Sequence, residues 1–252
     1  MNKSLMKDSI MDSSITQDSH DYPGYFITFE GGEGGGKSTH SSFLAHTLEN
    51  RGYDVVHLRE PGSTSVGEQL RDVVLNPNYD NLCDNAELMI YLAARSQNVS
   101  QNIIPALQKG SIVICDRFID STIAYQAYGR GLNADFIHAA NDFVTCGCMP
   151  DLSIFMFAGN CPSQGLSRAT EHEGADRLEQ QGSEFHSRVH QGFLEIAKQN
   201  EHRVKVIYSS AEKSITARAV FHAAAEKFPW TKDLNDDFYN TINNRYFGNK
   251  RQ

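Results

Sequence analysis

The chain has 252 residues, 40% of them hydrophobic and 21% charged, which suits one large or two small globular domains with a real core. Its 31 acidic and 23 basic side chains give a net charge of −8, so it lacks the broad positive field of a duplex-binding module and can hold anions only in a local pocket. No run approaches the roughly 18 consecutive apolar residues of a membrane span, and five cysteines, odd in number and without an export signal, read as reduced cytoplasmic thiols.

Residues 1–22 are polar, rich in Ser and Asp and aperiodic, and are expected to be a disordered extension. Tyr25–Glu30 reads as a buried strand, followed by the glycine-rich run GGEGGG and a helix from about Lys37 that Gly52 closes. Asp54–Glu60 is a second strand, stopped by Pro61-Gly62, and a helix spans about Val66 to Leu75. A long helical pattern runs from about Asn85 to Lys109, with Pro105 placed to kink it.

Ser111–Arg117 is a third, very apolar strand, followed by helical segments around 119–128 and 134–146. Cys146 and Cys148 lie where the second of these ends; with no further ligand pair nearby they read as a helix-end pair rather than a metal site. Asp151–Ala158 is a fourth strand. A helix near 162–169, a polar loop, a helix near 183–199, a fifth strand at Val204–Tyr208 and a helix near 212–227 complete the pattern. His186 and His190, one helical turn apart, read as a solvated face. From Pro229 onward the chain is polar and aromatic with weak periodicity. Strands alternating with helices predict a parallel sheet covered on both faces, with ligands at the carboxyl ends of the strands.

Gly31-Gly32-Glu33-Gly34-Gly35-Gly36-Lys37-Ser38 fits G-x-x-x-x-G-K-[ST] between a strand and a helix. Glycines there let successive N–H groups surround an anion, and the helix adds its positive end. Lys37 would reach the β- and γ-phosphates and the Ser38 hydroxyl would hold Mg²⁺. ATP or GTP binding follows, but a phosphate loop alone does not name a reaction.

That loop within Phe29–Thr39, then Arg59-Glu60-Pro61-Gly62, Ala93-Ala94-Arg95, Asp116–Thr122 running into Tyr125-Gln126, and Asp176-Arg177-Leu178-Glu179 together resemble the bacterial-type thymidylate kinase family over about residues 24–225. The resemblance implies a three-layer α/β/α P-loop nucleoside-monophosphate kinase fold with a five-stranded parallel sheet. Its domain would span 23–228 with a lid at about 165–182, leaving 229–252 as an extension of unknown role. It implies transfer of the γ-phosphoryl of ATP to dTMP, a cytoplasmic setting and a homodimer, with no nucleic acid or membrane partner.

The implied roles are physically reasonable. The acceptor phosphate, with a second pKa near 6, is already an anionic nucleophile, so positive charge rather than a strong base is needed. Arg59, Arg95, Arg117, Arg168 and Arg177 are the candidates, with Arg117 on the acceptor phosphate and Asp116 organising Mg²⁺. Thr39 completes the nucleotide loop. Glu33, an acid inside a phosphate loop, would accept the sugar 3′-OH. Tyr91 would stack on thymine with Arg95 on a base carbonyl, Ser121, Thr122 and Gln126 would line the acceptor site, and Tyr125 would exclude a 2′-OH.

The expected lid departs from the family pattern: Thr170 and His172 stand where arginines are common. Arg168 or Arg177 would then stabilise the transferring group, His172 would substitute weakly, or turnover would be low. Two other readings stand beside this one. A kinase acting on a neutral sugar hydroxyl would need a base such as Glu60. A P-loop switch would need a guanine-reading NKxD-like segment, and none is found.

Overall fold

The computed structural model describes residues 20–159, 176–228 and 236–247. The helix expected near 162–169, Arg168 and most of the expected lid fall outside them. Five parallel strands, β1 (Tyr25–Glu30), β2 (Val55–Arg59), β3 (Ile112–Asp116), β4 (Leu152–Phe157) and β5 (Val204–Tyr208), form one sheet in the order β2-β3-β1-β4-β5. β1 is central, with Phe29 level with Asp116 of β3 and with Ile154 of β4. β1 and β4 are almost wholly buried, as an apolar strand between two helical layers must be.

Helices cover both faces. Helix α1 (Lys37–Glu49) places Leu44 and Leu48 against Ile27, Ile114 and Ile154. Helix α2 is Ser65–Leu75, capped by the Thr64 hydroxyl on the Gly67 N–H at 2.9 Å. The long helix expected to Lys109 is divided: α3 (Asp84–Asn98), a π-helical turn (Val99–Ile103) and α4 (Ile104–Gln108). Pro105 has no N–H for the preceding turn, and the widened turn ahead of it absorbs the lost bond.

The segment expected near 119–128 is likewise a short α5 (Ile119–Thr122) and a π-helix (Ile123–Gly129). Helix α6 is Ala134–Thr145 and ends on Cys146 in left-handed conformation, with Cys148 buried just beyond. Helix α7 (Ser183–Gln199) carries His186 and His190. Neither stands on a solvated face: His186 is buried and His190 packs edge-on to Phe157 at 4.9 Å.

Helix α8 (Lys213–Lys227) is followed by a helix that sequence periodicity does not reveal, α9 (Asp236–Phe247). Its aromatics hold it in place. Phe247 stacks on Phe43 of α1 at 5.3 Å, and Tyr239 is buried between Phe43 and Phe221. Aromatic contacts to two helices do the work that an apolar stripe usually does. Phe43 is fully buried in that junction. Phe43→Ala is expected to destabilise the fold by about 3–5 kcal/mol, measured by urea unfolding.

Candidate active site

β1 runs directly into the glycine-rich turn. Gly31 and Gly35 both press on the carbonyl of Met156 in β4, where a Cβ would stand 2.3 and 2.5 Å from its oxygen. Gly36 turns into α1 at φ 86°. The loop is thus clamped to the sheet by close backbone approach that only glycine allows. Lys37 is buried and its ammonium donates to the Gly32 carbonyl at 2.7 Å. Burial and the Arg117 charge hold its pKa below the usual lysine value, against the pull of Glu33, Asp116 and Glu30.

A cavity of about 860 Å³ opens at the carboxyl ends of β1, β2 and β3, within the usual range for a ligand site. Glu33, Gly34, Gly36, Lys37, Ser38 and Thr39 line one end. Arg59, Tyr91, Arg95, Ser121, Thr122, Tyr125 and Gln126 line the other, and Asp116 and Arg117 stand where the ends meet. Gly31 and Gly35 hold the loop against β4, while Gly32 faces open space.

Arg117 leaves β3 at φ 70°, an uncommon conformation for a side-chain-bearing residue. That turn brings its guanidinium back over the loop. Nη1 donates to the Gly31 carbonyl at 3.1 Å and contacts Ser121 Oγ at 3.3 Å, while Nη2 donates to Glu33 Oε1 at 2.5 Å. The guanidinium also lies over the Tyr125 ring, 5.2 Å from its centre. The Tyr125 hydroxyl donates to the same Glu33 oxygen at 2.7 Å. Burial alone would push the Glu33 carboxyl up, but Arg117 and Lys37 bring it down to about 2. Ser38 Oγ donates to Asp116 Oδ2 at 2.5 Å, leaving Asp116 Oδ1 buried without a partner.

Arg95 is buried. It donates through Nε to Glu60 Oε2 and through Nη1 to Thr122 Oγ1 and Asn141 Oδ1, each at 2.8 Å. Glu60 also accepts from Asn98 at 3.1 Å, so both of its oxygens are engaged and it is no free base. Arg59, at the rim, pairs with Glu68 at 2.7 Å.

The structure does not bring Arg177 to the cavity wall. It is buried, and it donates through Nε to the Val74 carbonyl at 2.9 Å and through Nη2 to Glu87. Glu87, on α3, also accepts from Arg130 at 2.8 Å and from Gln126 Nε2 at 2.8 Å. Burial raises the Glu87 carboxyl, but the hydrogen bonds of Arg130 and Gln126, with Arg177, bring it below the usual value. A fully buried carboxylate needs such partners, and it draws Arg177 inward for that reason.

Sequence reasoning missed Glu87 and Arg71. Glu87, Tyr91 and Arg95 are spaced four apart on one helix face, which could have marked the acid. Arg71 lines the cavity beside Arg59 and donates to the Pro61 carbonyl at 3.0 Å; only its place one turn beyond Glu68 hints at this. Among the described residues, no three His, Cys, Asp or Glu side chains cluster to hold a metal. Asp116 and the Ser38 hydroxyl, with the unpartnered Oδ1, are a suitable partial set for a hard cation completed by phosphate oxygens and water.

Removing Glu87 would leave the buried Arg177 guanidinium without a counter-charge and Arg130 with Asp84 alone. Glu87→Ala is expected to cost about 3–5 kcal/mol at pH 7, measured by urea unfolding. Because the folded carboxyl titrates below the ordinary 4.5, its stabilisation is complete above that pH and is lost as pH falls beneath it.

The chain is similar to known proteins. The sequence pattern of the family "Thymidylate kinase" matches residues 29–220. A thymidylate kinase of Exiguobacterium sp. is 45% identical over 192 residues, 76% of this chain and 89% of the relative. One of Pelotomaculum thermopropionicum is 41% identical over 203 residues, 81% of this chain and 94% of the relative. The crystal structure of thymidylate kinase from Ehrlichia chaffeensis is 34% identical with TM-score 0.65, covering 80% of this chain and 98% of that one.

Proposed function

This chain belongs to the thymidylate kinase family, and from that premise we propose that the cavity described above holds a phosphoryl donor and dTMP end to end, with Arg117 between them. The enzyme phosphorylates dTMP to dTDP at the expense of a nucleotide donor. ATP is the donor in our reading. The observation that carries this assignment is that one guanidinium touches the phosphate loop at Gly31, the loop acid Glu33 and the acceptor-side Ser121.

The donor phosphates lie on the N–H groups of Gly31–Gly36 and at the start of α1, with Lys37 leaving the Gly32 carbonyl for a phosphate oxygen. Ser38 and Asp116 would hold Mg²⁺, which when bound neutralises charge on the donor phosphates. The dTMP phosphate sits at Arg117 and Ser121, with Arg59 at the rim. As a dianion at neutral pH it attacks without a general base. The protein's contribution is alignment of two anions and compensation of their charge.

Glu33 Oε1 is used by Arg117 and Tyr125, and its other oxygen accepts the 3′-OH. The Tyr125 ring, locked by that contact, fills the space a 2′-OH would need. Tyr91 provides the flat face for thymine. Gln126 Nε2 is committed to Glu87, so its Oε1 accepts from the N3–H of the base, and Arg95 meets a base carbonyl. Because Arg177 serves Glu87, our reading gives the transferring group to Arg168 ahead of the weaker substitute His172.

Met89 on α3 and Phe136 and Phe143 on α6 are 47%, 50% and 83% exposed on two helices that pack together. This apolar patch supports a homodimer. Surface thiols at Cys83 and Cys146, both unbridged, suit a reducing cytoplasm. None of the described helices is long and apolar enough to cross a membrane.

The test is γ-phosphoryl transfer from Mg–ATP to dTMP, dUMP, dCMP, AMP, UMP and thymidine. Strong preference for dTMP is expected; transfer to thymidine but not dTMP would contradict the anion clamp. Arg168→Ala is expected to lower kcat by about 10³-fold or more, and Arg177→Ala to lower stability instead. Light scattering after gel filtration should give twice the chain mass, and Phe143→Glu should halve it.

A further inference from the structure

Glu30 closes β1 one residue before the phosphate loop and is fully buried. No step above uses it. Its Oε2 lies 2.5 Å from the Ser121 hydroxyl oxygen, and its Oε1 is buried with no hydrogen-bond partner. Ser121 borders the acceptor end of the cavity and meets Arg117 Nη1 at 3.3 Å. We propose that Glu30 is a positioning residue for the acceptor phosphate, acting through Ser121 by setting which way that hydroxyl's proton points. The inference rests on the reading of the cavity as the dTMP site.

Hydrogen-bond accounting carries the argument. A serine hydroxyl has one proton and two lone pairs, and a guanidinium can only donate. Arg117 therefore occupies one lone pair. If Glu30 is a carboxylate, it can only accept, and the Ser121 proton is spent on it. The face that Ser121 turns to the cavity then offers an incoming phosphate no donor. If Glu30 is a carboxylic acid, it donates to the second lone pair. The Ser121 proton is then free for a phosphate oxygen. The acid also leaves Oε1 as a neutral carbonyl-type oxygen, which is cheaper to bury alone than half of a carboxylate.

The surroundings favour the acid. Asp120 is fully buried and takes two 2.8 Å bonds from the Arg203 guanidinium. Burial, then the Asp120 charge, push the Glu30 carboxyl up to about 8, against the Ser121 hydrogen bond, Arg117 and Arg95. Lys37, Arg203 and the buried Cys115 thiol of β3, itself held well above the usual thiol value, also feel its charge. A dianionic phosphate beside Arg117 would raise it further, because like charge disfavours the carboxylate. The donor-ready arrangement therefore prevails at neutral pH and is lost on the alkaline side. The phosphate monoester, with its second pKa near 6, does not titrate in that window.

The test is kcat/KM for dTMP at saturating ATP, followed from neutral to mildly alkaline pH, short of the range in which the thymine N3–H itself deprotonates, in wild type, Glu30→Gln and Ser121→Ala. The glutamine amide donates to Ser121 at every pH, as the acid does at neutral pH. Wild type is expected to lose about tenfold or more on the alkaline side, the worth of one hydrogen bond to a charged group, through KM rather than kcat. Glu30→Gln should stay near wild type at neutral pH and keep that value across the alkaline limb. Ser121→Ala should be weaker throughout and lack the limb. A wild type without the limb, or a limb that persists in either variant, overturns the proposal. If Glu30→Gln does not fold by circular dichroism, Ser121→Ala decides alone. A wild type that does not phosphorylate dTMP at neutral pH overturns the cavity reading instead, so the two failures are distinct.

Discussion

The Arg117–Glu33 ion pair is the constraint on which the site depends. An acid inside a phosphate loop opposes anion binding, and here its charge is matched by a guanidinium that reaches back from the neighbouring strand. The match requires the left-handed turn at Arg117, and that turn requires β1 and β3 to be adjacent, with Phe29 level with Asp116. The 2-3-1-4-5 strand order therefore does more than build a core. It brings the phosphate loop at Gly31 and Glu33 and the cavity wall at Ser121 within reach of one side chain.

Beneath that pair lies a second tier of buried carboxylates, each holding an arginine or shaping a polar contact. Glu60 holds Arg95, Glu87 holds Arg130 and Arg177, and Asp120 holds Arg203. Buried ion pairs are weak sources of net stability, but breaking one is costly. Their value here is placement. Arg95 is kept at the cavity wall by three partners, and Gln126 is turned by Glu87 so that its oxygen is left for a ligand. Glu30 belongs to the same tier without an arginine of its own, which is why its proton becomes the adjustable element.

Much of this was legible in the sequence. Five strands with sharp apolar runs were readable because each is bounded by glycine, proline or a charged edge. The phosphate loop was readable because its spacing is dictated by backbone geometry. The two π-helical segments were not, since a widened turn leaves the same apolar pattern as an α-helix and only Pro105 hinted at one of them. Helix α9 was hidden because its aromatics pack on two helices instead of forming one stripe. Arg177 was misplaced because a one-dimensional motif shows an arginine beside a polar loop, and not the buried Glu87 that claims it. Charge partners distant in sequence, such as Arg203 and Asp120, leave no local signal.

The most direct measurement is a crystal structure of the enzyme with dTMP and a non-hydrolysable ATP analogue bound together. The account predicts both ligands in the one cavity, with the Arg117 guanidinium hydrogen-bonded to the dTMP phosphate and Glu33 at the sugar. A dTMP phosphate seated away from Arg117, or an analogue bound off the glycine-rich loop, would contradict it.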